Sequence, residues 1–232
     1  MPQDHTPGPA ALARSYLGSD KFQEELRGNW VMVLLHRWPA FLLAALCMRI
    51  GISANAITLA GGALALAMPV AAALLPFQAA VWSVVILGFA VITLDCSDGD
   101  VARHGGGSEL GARLDLAVDM MFWGLLYGSI GLLADRAVGE MFGVWTVVGL
   151  SAAWARLLAR VYHDEAGGAP TTGRAPWTPL AMVTAFVAGI SGAIPFLALA
   201  VAHWPAAVWC LVAYSLIDVA DALSQLLRTD RT

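Results

Sequence analysis

The sequence predicts an all-α polytopic membrane protein, with six transmembrane helices preceded by an interfacial amphipathic helix. Three observations carry this. Of 232 residues, 59% are apolar and only 13% charged, whereas a soluble domain carries about 25% charged residues. The mean hydropathy is +0.69, and several runs reach the roughly 17–25 apolar residues that cross a bilayer as a helix. Turn-forming residues separate these runs at short intervals. The composition points to an integral protein of the cell inner or plasma membrane.

The chain opens with MPQDHTPGPA, which has no basic start leading into an apolar core and so does not read as a cleavable signal. Residues 1–20 are expected to form a disordered tail, residues 21–50 an interfacial region, and residues 51–228 the membrane domain. The stretch GNWVMVLLHRWPAFLLAALCMRI, residues 28–50, is apolar, but His36, Arg37 and Pro39 fall near its middle. A charge at bilayer depth costs about 2.5–3.5 kcal/mol or more. An interfacial helix with Trp30 and Trp38 at headgroup level accommodates those residues better. Spans follow at about 54–75, 79–102, 111–134, 139–162, 177–202 and 206–226. They are separated by Pro76, the His104–Gly107 run, Asp135–Arg136, residues 167–173 and residues 203–205.

With this topology, twelve of the thirteen Lys and Arg residues fall on one side and only Arg136 on the other. The positive-inside rule then places both termini in the cytoplasm. A net charge of −4 argues against nucleic acid as a partner. Cys47, Cys96 and Cys210 are scattered, with no metal-ligand or disulfide spacing. His36, His104 and His163 read as interfacial rather than catalytic.

One stretch departs from this apolar pattern. LDCSDGDVARHGGGSELGARLDLAVDMMF, from Leu94 to Phe122, carries Asp95 and Asp98 three apart, then Asp115 and Asp119 four apart. Those spacings place each pair on one helical face. Counted outward from the intervening loop, Asp98 matches Asp115 and Asp95 matches Asp119, so a helical hairpin brings all four to similar depth near the cytoplasmic surface. Clustered carboxylates repel, the more so when desolvated, and Arg103 and Arg113 cannot neutralise four of them. Hard divalent cations with oxygen ligands, such as Mg²⁺ bridging carboxylates and phosphates, resolve the repulsion. Gly99, Ala102 and Arg103 recur on or near the Asp95 face. Glycine there permits close approach, and Arg103 can meet a phosphate. Asp100 projects away from Asp98 and is expected to be a solvated acid.

These residues resemble the signature of the CDP-alcohol phosphotransferases (CDP-alcohol phosphatidyltransferases), D-x-x-D-G-x-x-A-R followed by G-x-x-x-D-x-x-x-D. Here it reads Asp95, Asp98, Gly99, Ala102 and Arg103, then Gly111, Asp115 and Asp119, all present. Seven residues separate Arg103 from Gly111, one fewer than is usual in the family. A weaker likeness lies in ISANAIT, where Asn55 and Thr58 match a family Pro-Asn-x-x-Thr pattern and Ala54 replaces its proline.

The resemblance implies a transferase of phospholipid biosynthesis, commonly homodimeric, with its active site at the cytoplasmic face. Its donor would be a CDP-linked lipid such as CDP-diacylglycerol, and its acceptor a small alcohol. It implies one or two Mg²⁺ or Mn²⁺ ions on Asp95, Asp98 and Asp115, with Asp119 as general base and a further potential ligand. Asn55, Thr58, Gly99, Ala102, Arg103 and Gly111 would line the cytidine and phosphate pocket. Arg156 and Arg160 share a helical face and either contact a lipid or acceptor phosphate or simply flank the membrane. Tyr214, Asp218 and Asp221 either hold the acceptor or form a packing network. The spans offer no other Lys or Arg for a second phosphate pocket, which favours an unphosphorylated amino alcohol or polyol. A metal-dependent membrane prenyltransferase and a cation transporter using intramembrane carboxylates are the rival readings.

Overall fold

The computed structural model describes residues 7–165 and 185–229, and these are helical with no strand among them. Two short helices come first, α1 (Pro9–Leu17) and α2 (Asp20–Gly28). Helix α1 thus lies within the stretch 1–20 expected to form a tail. Leu12 and Tyr16 are buried in a cluster with Phe41, Ala44, Ile57 and Val101. Ser19 caps α2 by accepting a hydrogen bond from Phe22 N–H at 3.3 Å.

A π-helical turn, Met32–His36, runs into α3 (Arg37–Ile50). Gly51 ends α3 with φ 76°, letting Ile52 N–H reach the Cys47 carbonyl at 2.9 Å. The two residues that argued for an interfacial position are inside the protein. His36 is fully buried, its Nε2 donating to the Gly192 carbonyl at 3.0 Å and its Nδ1 meeting the Thr93 hydroxyl at 3.2 Å. Arg37 is 3% exposed, binds both carboxylate oxygens of Glu25 and lies 3.6 Å from Asp100. The charge is thus matched by protein partners, as a buried ion must be. Arg37 and Ala40 of α3 meet Cys96 and Ser97, and Phe41 and Ala44 pack in one cluster with Val101.

Four long helices follow: α4 (Ala54–Leu74), α5 (Phe77–Gly105), α6 (Glu109–Ala137) and α7 (Val144–Glu165). An apolar helix α8 (Ala185–Val201) contains a 3₁₀ stretch over Gly189–Phe196. A 3₁₀ turn at Pro205–Val208 leads into α9 (Trp209–Thr229). Among the described residues, six helices are long and apolar enough to cross a membrane: Met32–Ile50, Ala54–Leu74, Phe77–Gly105, Glu109–Ala137, Val144–Tyr162 and Pro205–Ser224. The count is the expected one, but Met32–Ile50 joins it by length. The expected crossing at 177–202 falls partly outside the described residues.

Helices α5 and α6 overrun the spans their apolar runs predict. Each has 29 residues, about 44 Å at ~1.5 Å per residue, against roughly 30 Å of hydrocarbon. Their polar ends therefore project beyond the apolar layer. They pack around a core that includes Met68, Val84, Leu126, Tyr127 and Leu133. Glycine allows α6 and α7 to touch backbone to backbone, since a Cβ on Gly131 would lie 2.4 Å from the Trp145 carbonyl oxygen.

At the far end of α6, Asp135 and Arg136 belong to the helix and not to a loop. Asp135 is fully buried and caps α7, accepting from Trp145 N–H (2.9 Å), Thr146 N–H (2.8 Å) and the Thr146 hydroxyl (2.5 Å). Arg136 donates to the Ala72 and Leu75 carbonyls at the C-terminus of α4, where a cation complements the helix dipole. The break comes after them, at Gly139 (φ 83°) and Phe142 (φ 58°).

Candidate active site

The α5–α6 hairpin brings Asp95, Asp98 and Asp115 together, with one carboxylate oxygen from each within 4.8 Å of the others. Asp98 is buried and accepts from the Thr58 hydroxyl at 2.5 Å. Asp95 is half-buried and Asp115 exposed. The expected fourth member, Asp119, is not part of this tight group. It sits one turn along α6 on the wall of the same small apolar crevice, and its Oδ1 accepts from Trp123 Nε1 at 2.8 Å.

The polar residues expected around the nucleotide share one surface. Asn55, Thr58, Gly99, Ala102, Arg103 and Gly111 all line an open cleft of about 1020 Å³. Asp98 and Asp115 face this cleft and also the crevice, of about 40 Å³, that holds Asp95 and Asp119. Ser53 caps α4 and Ser108 caps α6, so the N-termini of both helices open onto the cleft. They approach so closely that a Cβ on Gly111 would lie 2.7 Å from Asn55 Oδ1. Gly99 leaves room for the Arg103 guanidinium, whose Nη1 is 3.4 Å from where a Cβ would stand.

Asp100 is not the solvated acid that its position suggested. It is 4% exposed and pairs with Arg103 and Arg37, because α3 covers the face of α5 opposite the cleft. Its chain of ion pairs runs through Arg37 to Glu25 and on to Lys21, 3.5 Å from Glu25. Glu25 also accepts from the Tyr16 hydroxyl at 2.7 Å. Burial favours the neutral acid of Glu25, but the Arg37 guanidinium outweighs it and holds the carboxyl below its usual range.

The two arginines of α7 part company. Arg160 is exposed. Arg156 lies 4.1 Å above the Trp123 ring and 5.1 Å from the Tyr214 ring, with Nη1 3.3 Å from Asp218 Oδ2. The Tyr214 hydroxyl donates to the Ala188 carbonyl at 3.1 Å. Tyr214 and Asp218 thus form a packing network. His104 is exposed beside the cleft, and the His163 side chain lies outside the described residues. Trp123 was not singled out from the sequence, although its spacing of four from Asp119 was a usable signal.

Residues 51–209 match the family model described as CDP-alcohol phosphatidyltransferase. The chain belongs to that family. No curated protein matches it. As a family member it is an integral-membrane transferase of phospholipid biosynthesis, moving a phosphatidyl group from a CDP-alcohol to an alcohol acceptor. The family is generally dependent on divalent metal, and the site fits such an ion. Asp95, Asp98 and Asp115 offer only carboxylate oxygens, closely grouped, which is the donor set that hard divalent cations favour.

Proposed function

We propose that this protein transfers the phosphatidyl group of CDP-diacylglycerol to a small, unphosphorylated amino alcohol or polyol, releasing CMP. The observation that carries the reading is the shared cleft. The six residues expected to bind nucleotide and phosphate line it together with Asp98 and Asp115.

In this reading the cytidine and diphosphate lie along Asn55, Thr58, Gly99, Ala102 and Gly111, with Arg103 meeting phosphate charge. Asp95, Asp98 and Asp115 would hold one or two Mg²⁺ or Mn²⁺ ions, with Asp119 as a further potential ligand. The ions, when bound, offset the diphosphate charge and stabilise the departing CMP. Asp119 accepts the proton of the acceptor hydroxyl. That oxygen forms a bond to the phosphorus distal to cytidine, the diphosphate P–O bond breaks, and CMP carries away its electrons.

The choice of an unphosphorylated acceptor rests on the surroundings of Asp119. The crevice walls are mainly apolar, with Ile57, Val91, Ile92 and Phe122 among them, and Arg156 is engaged by Asp218 and two rings. Arg160, exposed on α7, is assigned to a lipid phosphate. We place α3 at the membrane interface, both termini and the cleft on the cytoplasmic side, and the protein in a homodimer. Side-specific thiol labelling and light scattering test these placements.

The deciding experiment incubates purified protein with CDP-diacylglycerol, Mg²⁺ or Mn²⁺ and a panel of alcohols, and follows CMP release. Turnover with amino alcohols or polyols is expected. Turnover confined to glycerol phosphate or inositol phosphate would reject the acceptor assignment.

A further inference from the structure

We infer that Trp123 and Arg156 act as positioning residues for Asp119, forming a relay that ties its carboxylate to helices α7 and α9. The inference rests on the proposed role of Asp119 as base. It starts from a problem of geometry. Asp119 shares a small crevice with Asp95, Asp98 and Asp115, on a side chain with two rotatable bonds. A base must present its oxygen to the acceptor hydroxyl in one orientation, and a misplacement of about 1 Å can cost on the order of 100-fold in rate.

The indole of Trp123 supplies that constraint. Its Nε1–H donates to Asp119 Oδ1 at 2.8 Å, fixing the plane of the carboxylate through an engaged oxygen. Such a bond holds only as well as the indole itself is held. Arg156 lies over the ring face at 4.1 Å with its side chain only 15% exposed, and desolvation strengthens the attraction of a cation for a ring. Arg156 is held in turn by Asp218 at 3.3 Å and by the Tyr214 ring at 5.1 Å. Tyr214 is anchored through its hydroxyl to the Ala188 carbonyl of α8. The order of contact is therefore Asp119, Trp123, Arg156, then Asp218 and Tyr214. A planar guanidinium suits this stacked place as an ammonium would not, and the same engagement accounts for Arg156 in a site where a phosphate contact was the obvious alternative.

The test uses full-length protein and compares the kcat of CMP release, the KM for CDP-diacylglycerol and Mn²⁺ affinity by electron paramagnetic resonance. Trp123→Phe keeps a ring beneath Arg156 but removes the N–H. Its kcat is expected to fall about 10- to 100-fold, with KM and Mn²⁺ affinity within about twofold of the unaltered protein. Trp123→His returns an N–H at the corresponding ring position and is expected to recover kcat several-fold over Trp123→Phe. Arg156→Leu frees the indole face and should lower kcat by a smaller factor. A normal kcat in Trp123→Phe, a loss confined to KM, or no recovery in Trp123→His overturns the relay.

A readout independent of turnover is the indole N–H resonance of Trp123, identified by its disappearance in Trp123→Phe. Asp119→Ala should shift it, and an unmoved signal again overturns the relay. If the unaltered protein releases no CMP from any CDP-alcohol, the proposed role of Asp119 fails, and with it the relay's purpose. Normal turnover with an unmoved indole signal overturns the relay alone.

Discussion

Helix α6 carries aspartates at both ends, and the two ends treat them in opposite ways. At one end Asp115 is exposed, and its nearest grouped neighbours are two more carboxylates. At the other end Asp135 is wholly buried and receives three hydrogen bonds, two of them from the first N–H groups of α7. Asp135, whose partners are the donors that open α7, serves the fold. Carboxylates grouped with one another raise the energy of the protein alone and are relieved only when something cationic arrives. The difference in partners, more than in burial, separates the charge that builds the helix bundle from the charges we propose to act on substrate.

Substitutions at each end should break this comparison cleanly. Asp119→Asn is expected to have the largest effect, lowering CMP release by about 10²- to 10⁴-fold, the usual contribution of a general base, while CDP-lipid binding persists. Normal turnover would end its assignment as base. Asp98→Asn should weaken Mn²⁺ binding measured by titration. Without metal its thermal midpoint should stay level or rise, because a repulsion has been removed; a clear fall would mean that Asp98 also serves the fold.

Asp135→Ala should show the reverse pattern. Leaving buried donors without an acceptor costs about 1–3 kcal/mol each, so the thermal midpoint should drop while Mn²⁺ affinity stays unchanged. The smallest effect is expected at Glu25, a third setting in which a carboxylate is matched by Arg37 outside the hairpin. Its folded pKa lies below the unfolded value, so its stabilisation is present above the unfolded pKa, about 4.3. It is lost as pH falls through the lower folded value. Glu25→Gln should therefore lower the thermal midpoint at pH 7 and differ less from the unaltered protein as pH falls below 4. An undiminished difference there would show that the pair is not what Gln disrupts.

The sequence made the hairpin acids readable because their information is local. Spacings of three and four residues on two helices fix which faces Asp95, Asp98 and Asp115 share, whatever else surrounds them. Asp119 was placed in the right neighbourhood, but its bond to Trp123 depends on rotamers as well as spacing. Asp100 was misread because a polar position opposite an active face suggests water, and only the tertiary fold reveals that α3 covers it. The burial of Arg37 is hidden from the sequence for the same reason. Its partner Glu25 lies on a separate short helix, and no periodicity announces a pair formed between elements. Asp135 and Arg136 looked like a loop because two charges interrupt an apolar run. Their hydrogen bonds to α7 and α4 instead let the helix continue through them.

The shortened link between Arg103 and Gly111 also takes on a definite meaning. Helix α5 runs to Gly105 and α6 begins at Glu109, so the turn itself is Gly106–Ser108, with Gly106 at φ 82° and Ser108 tied to Gly111 N–H. Three residues span about 10 Å when fully extended, and with both ends fixed on α5 and α6 the turn reaches outward only about half of that. This turn cannot serve as a moving cover. Gating of nucleotide entry and exit, where it occurs, has to come from another segment, and lengthening the turn by one residue should leave the exchange rate of CMP unchanged.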